Sequence, residues 1–204
     1  RREMKGVREG FLGEAHNTAN IQIGAVICRR SPEGVTAGRI VECEAYGEIY
    51  KGHKDDGAHV FKGLTPRTRI IFGEGGHAYV YLIYGMYTCL NFVCGHEGES
   101  GSVLIRALEP LEGLDLMKKR RNQTKEKLLT SGPGRLTQAM GIDMTFYGMD
   151  LTGDTLYVES REDGPWPVEA TKRKNIDYAT YGKDFPWRFL LKGNPYISKY
   201  KKRL

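Results

Sequence analysis

Residues 77–93 read HAYVYLIYGMYTCLNFV, and this stretch sets the expectation for the fold. Aromatic and β-branched residues fill His77–Ile83 and again Tyr87–Val93, a composition that is typical of strands. The segment Tyr84-Gly85-Met86 interrupts the pattern between them. We therefore predict a β-hairpin with Tyr84 near its tip, where few neighbours are at hand to bury the ring.

Further segments on both sides of the hairpin carry strand and helix signals. Arg39–Tyr46 reads RIVECEAY, and its alternation places Glu42, Glu44 and Tyr46 on one face of a strand. The other predicted strands are Ile23–Arg29 and Ser102–Leu108, the predicted helices are Gly13–Gln22, Leu111–Arg121 and the segment LTQAMGI after the turn Ser131–Leu136, and the predicted loops are Ser31–Gly38 and Gly47–Thr68.

No regular βαβ alternation joins these segments, so we predict a largely antiparallel sheet. The predicted fold class is mixed α/β (α+β): a single domain over residues 1–204, with a curved, largely antiparallel β-sheet, a protruding β-hairpin and surrounding helices. Of the 204 residues, 40% are hydrophobic and 27% are charged, the balance of an ordinary folded domain. This composition argues against a disordered, collagen-like or disulfide-stapled protein.

Apolar stretches and cysteines bear on the compartment of the protein. The longest apolar stretch, Ala78–Tyr84, is far below the roughly 20 residues that span a bilayer, so we expect no membrane partner. We recognise no secretory signal peptide. The four cysteines show no CxxC spacing, and we predict that they are buried, reduced thiols.

The positive charge is concentrated near the C-terminus. The formal net charge is +6, and residues 171–204 contain ten lysines and arginines against two acids. A second basic run covers Met117–Lys127. Such runs contact nucleic-acid phosphates or form a solvated surface, and the sequence leaves both interpretations open. If Lys201, Lys202 and Arg203 contact phosphates, neutralising them should flatten the salt dependence of DNA binding.

Three residues carry the strongest chemical signals. Glu44 lies beside Tyr46 and a long loop and is a candidate general base; the alternative is an acidic strand that faces solvent. An exposed Tyr84 could stack on a base or wedge into a duplex. Arg106 lies within the apolar run VLIRAL and requires a carboxylate partner, for which Glu44 and Glu109 are the candidates.

Two further residues have ordinary explanations on the residue pattern alone. His59, in DDGAH, reads as a loop histidine, and together with His53 it does not form a strong metal-binding spacing. Asn91 reads as a strand residue that satisfies backbone groups. We therefore predict no metal site.

Several blocks of the sequence occur in a familiar order: RIVECEAY, GAH, TPRTRIIF, YVYLIYGMYTCLN, SVLIRALEPLEGL, SGPGRLTQAMGI and PWRF. Together they resemble the alkyladenine (3-methyladenine) DNA glycosylase family of monofunctional alkylpurine DNA glycosylases, from about Val26 to the C-terminal GNPYIS. The resemblance implies a base-excision repair enzyme that flips alkylated or deaminated purines out of double-stranded DNA and hydrolyses the N-glycosidic bond. It implies a monomer that uses water as the nucleophile and no cofactor, cytoplasmic in a prokaryote or nuclear in a eukaryote.

The resemblance also implies roles for the residues of a base pocket. Glu44 matches the general base that activates the attacking water, and Arg106 matches an arginine that helps to hold this water. Tyr46 matches one wall of the pocket, and Tyr81 matches the opposite wall together with His59. In the family, the backbone N–H of this histidine reads the 6-position of the purine.

Further matches concern the DNA and the choice of base. Tyr84 matches the tyrosine that intercalates through the minor groove and fills the gap left by the flipped nucleotide. Asn91 matches the asparagine whose bulk disfavours the 2-amino group of guanine. A main-chain carbonyl near Lys174 is expected to contact the attacking water, and no lysine stands at a nucleophile position. The sequence departs from the family pattern in a longer, lysine-rich loop at residues 47–58, and at Val60, where a small hydroxyl residue is common.

Two other function classes stay open on the residues alone. A hydrolase of sugars or free nucleosides could use Glu42 and Glu44 as a paired acid and base, but Tyr84 and the basic tail would then have no role. A non-catalytic nucleic-acid-binding module could use the aromatic residues as a stacking platform, but Glu44 would then oppose the phosphates. Release of a base from damaged duplex DNA distinguishes these classes from a glycosylase.

Overall fold

The β-hairpin at residues 78–94 forms one edge of a large antiparallel sheet in the computed structural model, which describes residues 6–199. The cations Lys201, Lys202 and Arg203 lie outside the described residues. Ten strands are numbered in chain order: β1 Val26–Ser31, β2 Gly34–Tyr46, β3 Ile49–Tyr50, β4 His53–Lys54, β5 Ala78–Ile83, β6 Tyr87–Cys94, β7 Gly101–Glu112, β8 Leu156–Glu159, β9 Val168–Thr171 and β10 Arg188–Leu191.

Eight of these strands belong to the large sheet. Its order is β5-β6-β7-β2-β1-β8, and β10 pairs with both β2 and β9. Strands β3 and β4 form a separate small hairpin. Every strand pair is antiparallel, which confirms the predicted fold class.

Three α-helices pack around the sheet: α1 Ala15–Gln22, α2 Leu114–Arg121 and α3 Pro133–Met140. Helix α3 begins with a proline in its first turn, where the missing N–H costs nothing, and Gly141 closes it with a φ of 66°. Its apolar face, including Leu136 and Met140, is buried in the main core. Within residues 6–199 no helix is both long and apolar enough to cross a lipid bilayer.

The tip of the β5–β6 hairpin is the most exposed aromatic part of the sheet. Tyr84 and Gly85 have φ angles of 54° and 66°, and the Met86 N–H donates to the Ile83 carbonyl. Two successive positive φ angles follow the right-handed twist of the flanking strands. Tyr84 is 75% exposed, which confirms the prediction of a hairpin with this tyrosine at its tip.

Several boundaries differ from the predictions, for local reasons. The predicted loop Ser31–Gly38 is wrong: Ser31 pairs with Gly34 across a two-residue turn, and β2 begins there. The second helix starts at Leu114, because Leu111 and Glu112 extend strand β7. The predicted strand Ile23–Arg29 begins only at Val26. The long loop after Tyr46 contains the β3–β4 hairpin and a 3-10 turn, His59–Lys62.

Strand β2 is the central element for the site. Its neighbours are β1 and β7, and β10 pairs with it near Glu42 and Glu44, so residues 40–45 are buried on both faces. The register against β7 shifts near Glu42, which marks an irregularity of the kind that re-aims side chains. The four cysteines are buried and free of disulfides, as predicted.

Candidate active site

Glu42 and Glu44 project from β2 into the interior, and neither side chain is exposed to solvent. The alternative of an acidic strand facing solvent is therefore wrong. A buried carboxylate requires hydrogen-bond and charge partners, and both glutamates have them. Apart from Tyr46 on β2 itself, the partners come from β7, the segment between β9 and β10, β10, and the C-terminal segment, all remote in sequence from β2.

Glu44 receives three hydrogen bonds. Its Oε1 accepts from the Tyr46 hydroxyl at 2.9 Å and from Arg106 Nη1 at 3.3 Å. Its Oε2 accepts from the backbone N–H of Lys174 at 2.7 Å. The structure thus places Lys174 beside the candidate base, where its N–H binds the carboxylate; the expected contact of a nearby carbonyl with the attacking water stays a prediction.

Glu42 is held by a different set of donors. Its Oε2 accepts from Arg188 Nε at 2.7 Å, and its Oε1 accepts from the backbone N–H of Ser198 at 2.8 Å and from the Ser198 hydroxyl. Arg106 Nε lies 3.4 Å from Glu42 Oε2. Burial favours the neutral acid, but Arg106, Ser198 and Arg188 outweigh it and lower the pKa of Glu42.

Arg106 has two carboxylate partners on strand β2. Arg106 bridges Glu42 and Glu44, and the two carboxylates raise its pKa although burial acts in the opposite direction. Glu109, the other candidate partner, binds Arg39 at 3.3 Å and the Asn194 amide at 3.0 Å.

A cavity of about 480 Å³ opens beside these residues, within the usual size range of small-ligand pockets. The Glu44 side chain lies beneath its wall. The three donors that bind Glu44 all line the cavity, namely Tyr46, Arg106 and Lys174. Of the other residues predicted for the site, the cavity wall includes His59, Tyr81, Tyr84 and Asn91.

Aromatic rings form one side of the cavity. The ring centroids of His59 and Tyr81 lie 4.7 Å apart in an edge-to-face arrangement, and His59 Nδ1 is 3.0 Å from the Tyr79 hydroxyl. Burial and the nearby charge of Arg67 lower the pKa of His59. Burial also holds the pKa of the Tyr46 and Tyr81 phenols well above the usual value. The wall therefore presents uncharged rings at neutral pH.

Asn91 has a fixed orientation in the wall of the cavity. Its side chain is buried, and its Nδ2 donates to the Tyr79 carbonyl at 3.2 Å. The amide therefore cannot swing aside without losing this bond.

Sequence reasoning missed a buried ion pair next to the cavity. Asp55 and Arg173 form a two-bond salt bridge, and neither side chain is exposed. Arg173 belongs to the run TKRKN, whose cations looked like members of one basic tail. Only the folded structure distinguishes these cations: Arg173 is buried, whereas its neighbour Lys172 is exposed.

His53 and His59 do not come together. His53 stacks on Tyr181 with a centroid distance of 3.9 Å, whereas His59 contacts Tyr79. Residues 6–199 hold one group of possible metal ligands, formed by Glu14, His16 and Glu48. The Glu14 carboxylate lies 3.4 Å from Nε2 of His16, and the Glu48 carboxylate lies 3.5 Å from its Nδ1.

Residues 9–195 match the family model of methylpurine-DNA glycosylases. The chain belongs to this family. Among its relatives, a protein of Clostridium acetobutylicum is 43% identical over 98% of this chain and 100% of the relative. A protein of Nitrosospira multiformis is 46% identical over 93% of this chain and 91% of the relative. Both bear the name "Putative 3-methyladenine DNA glycosylase".

Membership of the methylpurine-DNA glycosylase family confirms the resemblance drawn from the sequence blocks. The protein is a DNA glycosylase of base excision repair, a hydrolase of N-glycosyl bonds that acts on DNA. The cavity next to Glu44 is where the residues matched to the family's base pocket come together.

Proposed function

We propose that this glycosylase flips alkylated or deaminated purines into the cavity and cuts the N-glycosidic bond with a water activated by Glu44. The observation that supports this most directly is the position of Glu44. It is buried, and its three hydrogen-bond donors all line one cavity. The carboxylate is thus bound by residues that surround a space that a base can enter.

The cavity walls suit a damaged purine. Tyr46 lines the cavity together with Tyr81 and His59, and the flipped base stacks between the two walls. Alkylation at N3 or N7 gives the purine a positive charge. In a desolvated site, a cation on an aromatic face gains about 1–2 kcal/mol, an attraction that undamaged adenine and guanine lack.

Glu44 acts on the sugar side of the reaction. As the base departs, positive charge develops on the sugar, and a nearby carboxylate stabilises that charge. The same carboxylate accepts a proton from the attacking water. Tyr46, Arg106 and Lys174 hold Glu44 in one orientation, so that little reorganisation is needed when the bond breaks.

Tyr84 opens the duplex. Its left-handed backbone costs roughly 1–2 kcal/mol for a residue other than glycine. Such strain at an exposed aromatic tip is typical of functional positions. The ring inserts into the base stack and replaces part of the stacking energy that is lost when the nucleotide flips.

Water is the nucleophile in this proposal, and the enzyme is monofunctional. Lys174 lines the cavity, but its amine donates to the Ser198 carbonyl at 3.1 Å and has no role as a nucleophile here. Borohydride should therefore trap no covalent adduct with DNA. EDTA should leave base release unchanged, since no step requires a metal.

The test uses a duplex with one hypoxanthine or ethenoadenine and, separately, methylated duplex DNA. Base release is measured for the intact protein and for Glu44→Gln. We expect release by the intact protein, and loss of release with retained lesion binding in the variant. Release from free nucleosides but not from duplex DNA would favour a nucleoside hydrolase. Equal binding of damaged and undamaged DNA without release would favour a binding module.

The nucleoside-hydrolase alternative has weaker support. It needs Glu42 as the partner of Glu44, but Glu42 is closed in by Arg188 and Ser198, and neither of these residues lines the cavity.

A further inference from the structure

A buried cation lies directly behind one wall of the base pocket. The guanidinium carbon of Arg173 is 4.6 Å from the ring centroid of Tyr46. Tyr46 lines the cavity and Arg173 does not. The guanidinium therefore packs against the Tyr46 ring from outside the cavity wall. A base stacked on Tyr46 and the Arg173 cation would lie on opposite faces of one ring.

Among residues 6–199, Asp55 is the one carboxylate that forms a salt bridge with this cation. Asp55 binds Arg173 through two hydrogen bonds, at 2.6 Å and 2.7 Å, and both side chains are fully buried. The other acceptors of the guanidinium are the uncharged carbonyls of Ala45 and Gly182. Since no solvent reaches the pair, Asp55 is the main group that neutralises the positive charge behind Tyr46, and Glu44 adds a weaker attraction.

Asp55 is itself held in a fixed position. Its Oδ2 accepts from the Gly47 N–H at 2.9 Å, and its Oδ1 accepts from the Gly57 N–H at 3.0 Å. These bonds fasten both ends of the loop at residues 47–57 to the same carboxylate. The pair is thus built into the frame of the pocket.

We propose that Asp55 determines the tolerance of the pocket for cationic bases, by neutralising the Arg173 guanidinium behind Tyr46. Asp55 and Arg173 are positioning residues that act on the base through the Tyr46 ring. The inference rests on the proposed function, in which the damaged base stacks on Tyr46. It adds a residue pair that separates charged from uncharged lesions.

The physical reason is a charge repulsion that depends on the lesion. A cationic purine brings one positive charge into the pocket, and this charge moves to the sugar as the bond breaks. With Asp55 in place, the lesion meets a neutral pair. Without it, an unscreened guanidinium opposes the lesion across a single ring. A neutral lesion of the same shape feels no such repulsion.

The experiment compares two duplexes that differ in the charge of one base. Both carry the base on a 2′-fluoro sugar, which slows base loss; one base is 7-methylguanine and the other is its neutral isostere 7-methyl-7-deazaguanine. Dissociation constants are measured in the Glu44→Gln background, so that binding is observed without cleavage. We expect Asp55→Asn to raise the Kd for the cationic duplex by roughly tenfold and to leave the Kd for the neutral duplex nearly unchanged.

Two further variants provide matched controls. Arg173→Met leaves a carboxylate behind Tyr46, so the ratio of the two Kd values should shift the other way, in favour of the cationic duplex. The double variant Asp55→Asn/Arg173→Met has no charge behind Tyr46, and its ratio of the two Kd values should return to that of the parent. Thermal melting checks folding first. If the Asp55→Asn variant is unfolded, the opposite shift of the Kd ratio in the Arg173→Met variant decides whether the inference holds.

The outcomes are distinguishable. If every folded variant weakens both duplexes equally, the pair is a structural latch only and the inference is wrong, while the proposed function stands. If the parent binds neither lesion better than undamaged DNA, the proposed function itself fails.

Discussion

Glu42 and Glu44 are two residues apart on one strand, equally buried, and bridged by the same arginine, yet their surroundings differ. The donors to Glu44 all line the cavity. Glu42 shares Arg106 with it, but its other partners, Arg188 and Ser198, do not line the cavity. Burial and charge therefore do not identify the candidate base; the location of its partners does.

Under the proposed function, Glu44 serves catalysis and Glu42 serves the stability of the fold. Glu44 contacts groups that a substrate can approach, whereas Glu42 fastens β10 and the segment around Ser198 to the central strand. The following predictions test this division.

The largest expected effect is on base release. Glu44→Gln should lower the single-turnover rate on a lesion duplex by roughly 10²–10⁴-fold, because general-base catalysis contributes about that much. Glu42→Gln is the matched control, since it makes the same chemical change two residues away. It should lose far less activity per folded molecule. Equal losses in the two variants would show that the pair acts as one unit.

The Glu42→Gln variant should be less stable than the intact protein. Removing one member of a buried ion pair costs about 3–5 kcal/mol, and Arg188 would lose its only carboxylate partner among the described residues. The free energy of unfolding, measured in urea, should fall accordingly. A change below about 1 kcal/mol would contradict the structural role of Glu42.

Acid should abolish the contribution of Glu42 to the free energy of unfolding. Its folded-state pKa is lowered, so its contribution is complete above the unfolded value of about 4.3 and disappears as the pH falls through the folded value. The difference in unfolding free energy between the intact protein and Glu42→Gln should therefore shrink below about pH 4. A difference that is independent of pH would mean that the charge of Glu42 is not what stabilises the fold.

The smallest effect is expected from Ser198→Ala. This substitution removes the hydroxyl that donates to Glu42 and keeps the backbone N–H donor. We expect a loss of about 1–2 kcal/mol in unfolding free energy and an unchanged rate of base release. Impaired base release in a fully folded variant would extend the active site to the Glu42 side of Arg106.

Much of the local structure was predictable from the sequence because its signals are short-range. Aromatic and β-branched runs around Tyr84-Gly85-Met86 indicated the hairpin, and alternation in RIVECEAY placed Glu42 and Glu44 on one face. The resemblance brought together the residues of the base pocket. The loop before β2 was misjudged because Pro32-Glu33 is a two-residue turn, and turn chemistry does not reveal where pairing resumes.

What the sequence determined by itself was the kind of fold and the set of residues suited to act on a purine. Only the tertiary structure decided how these residues are partnered. Lys174 meets Glu44 across 130 positions of the chain, and Ser198 meets Glu42 across 156. No local pattern encodes such contacts, because they depend on how the segment after β9, β10 and the residues that follow it return to β2. The same packing placed Arg173 behind Tyr46 and left its neighbour Lys172 in solvent.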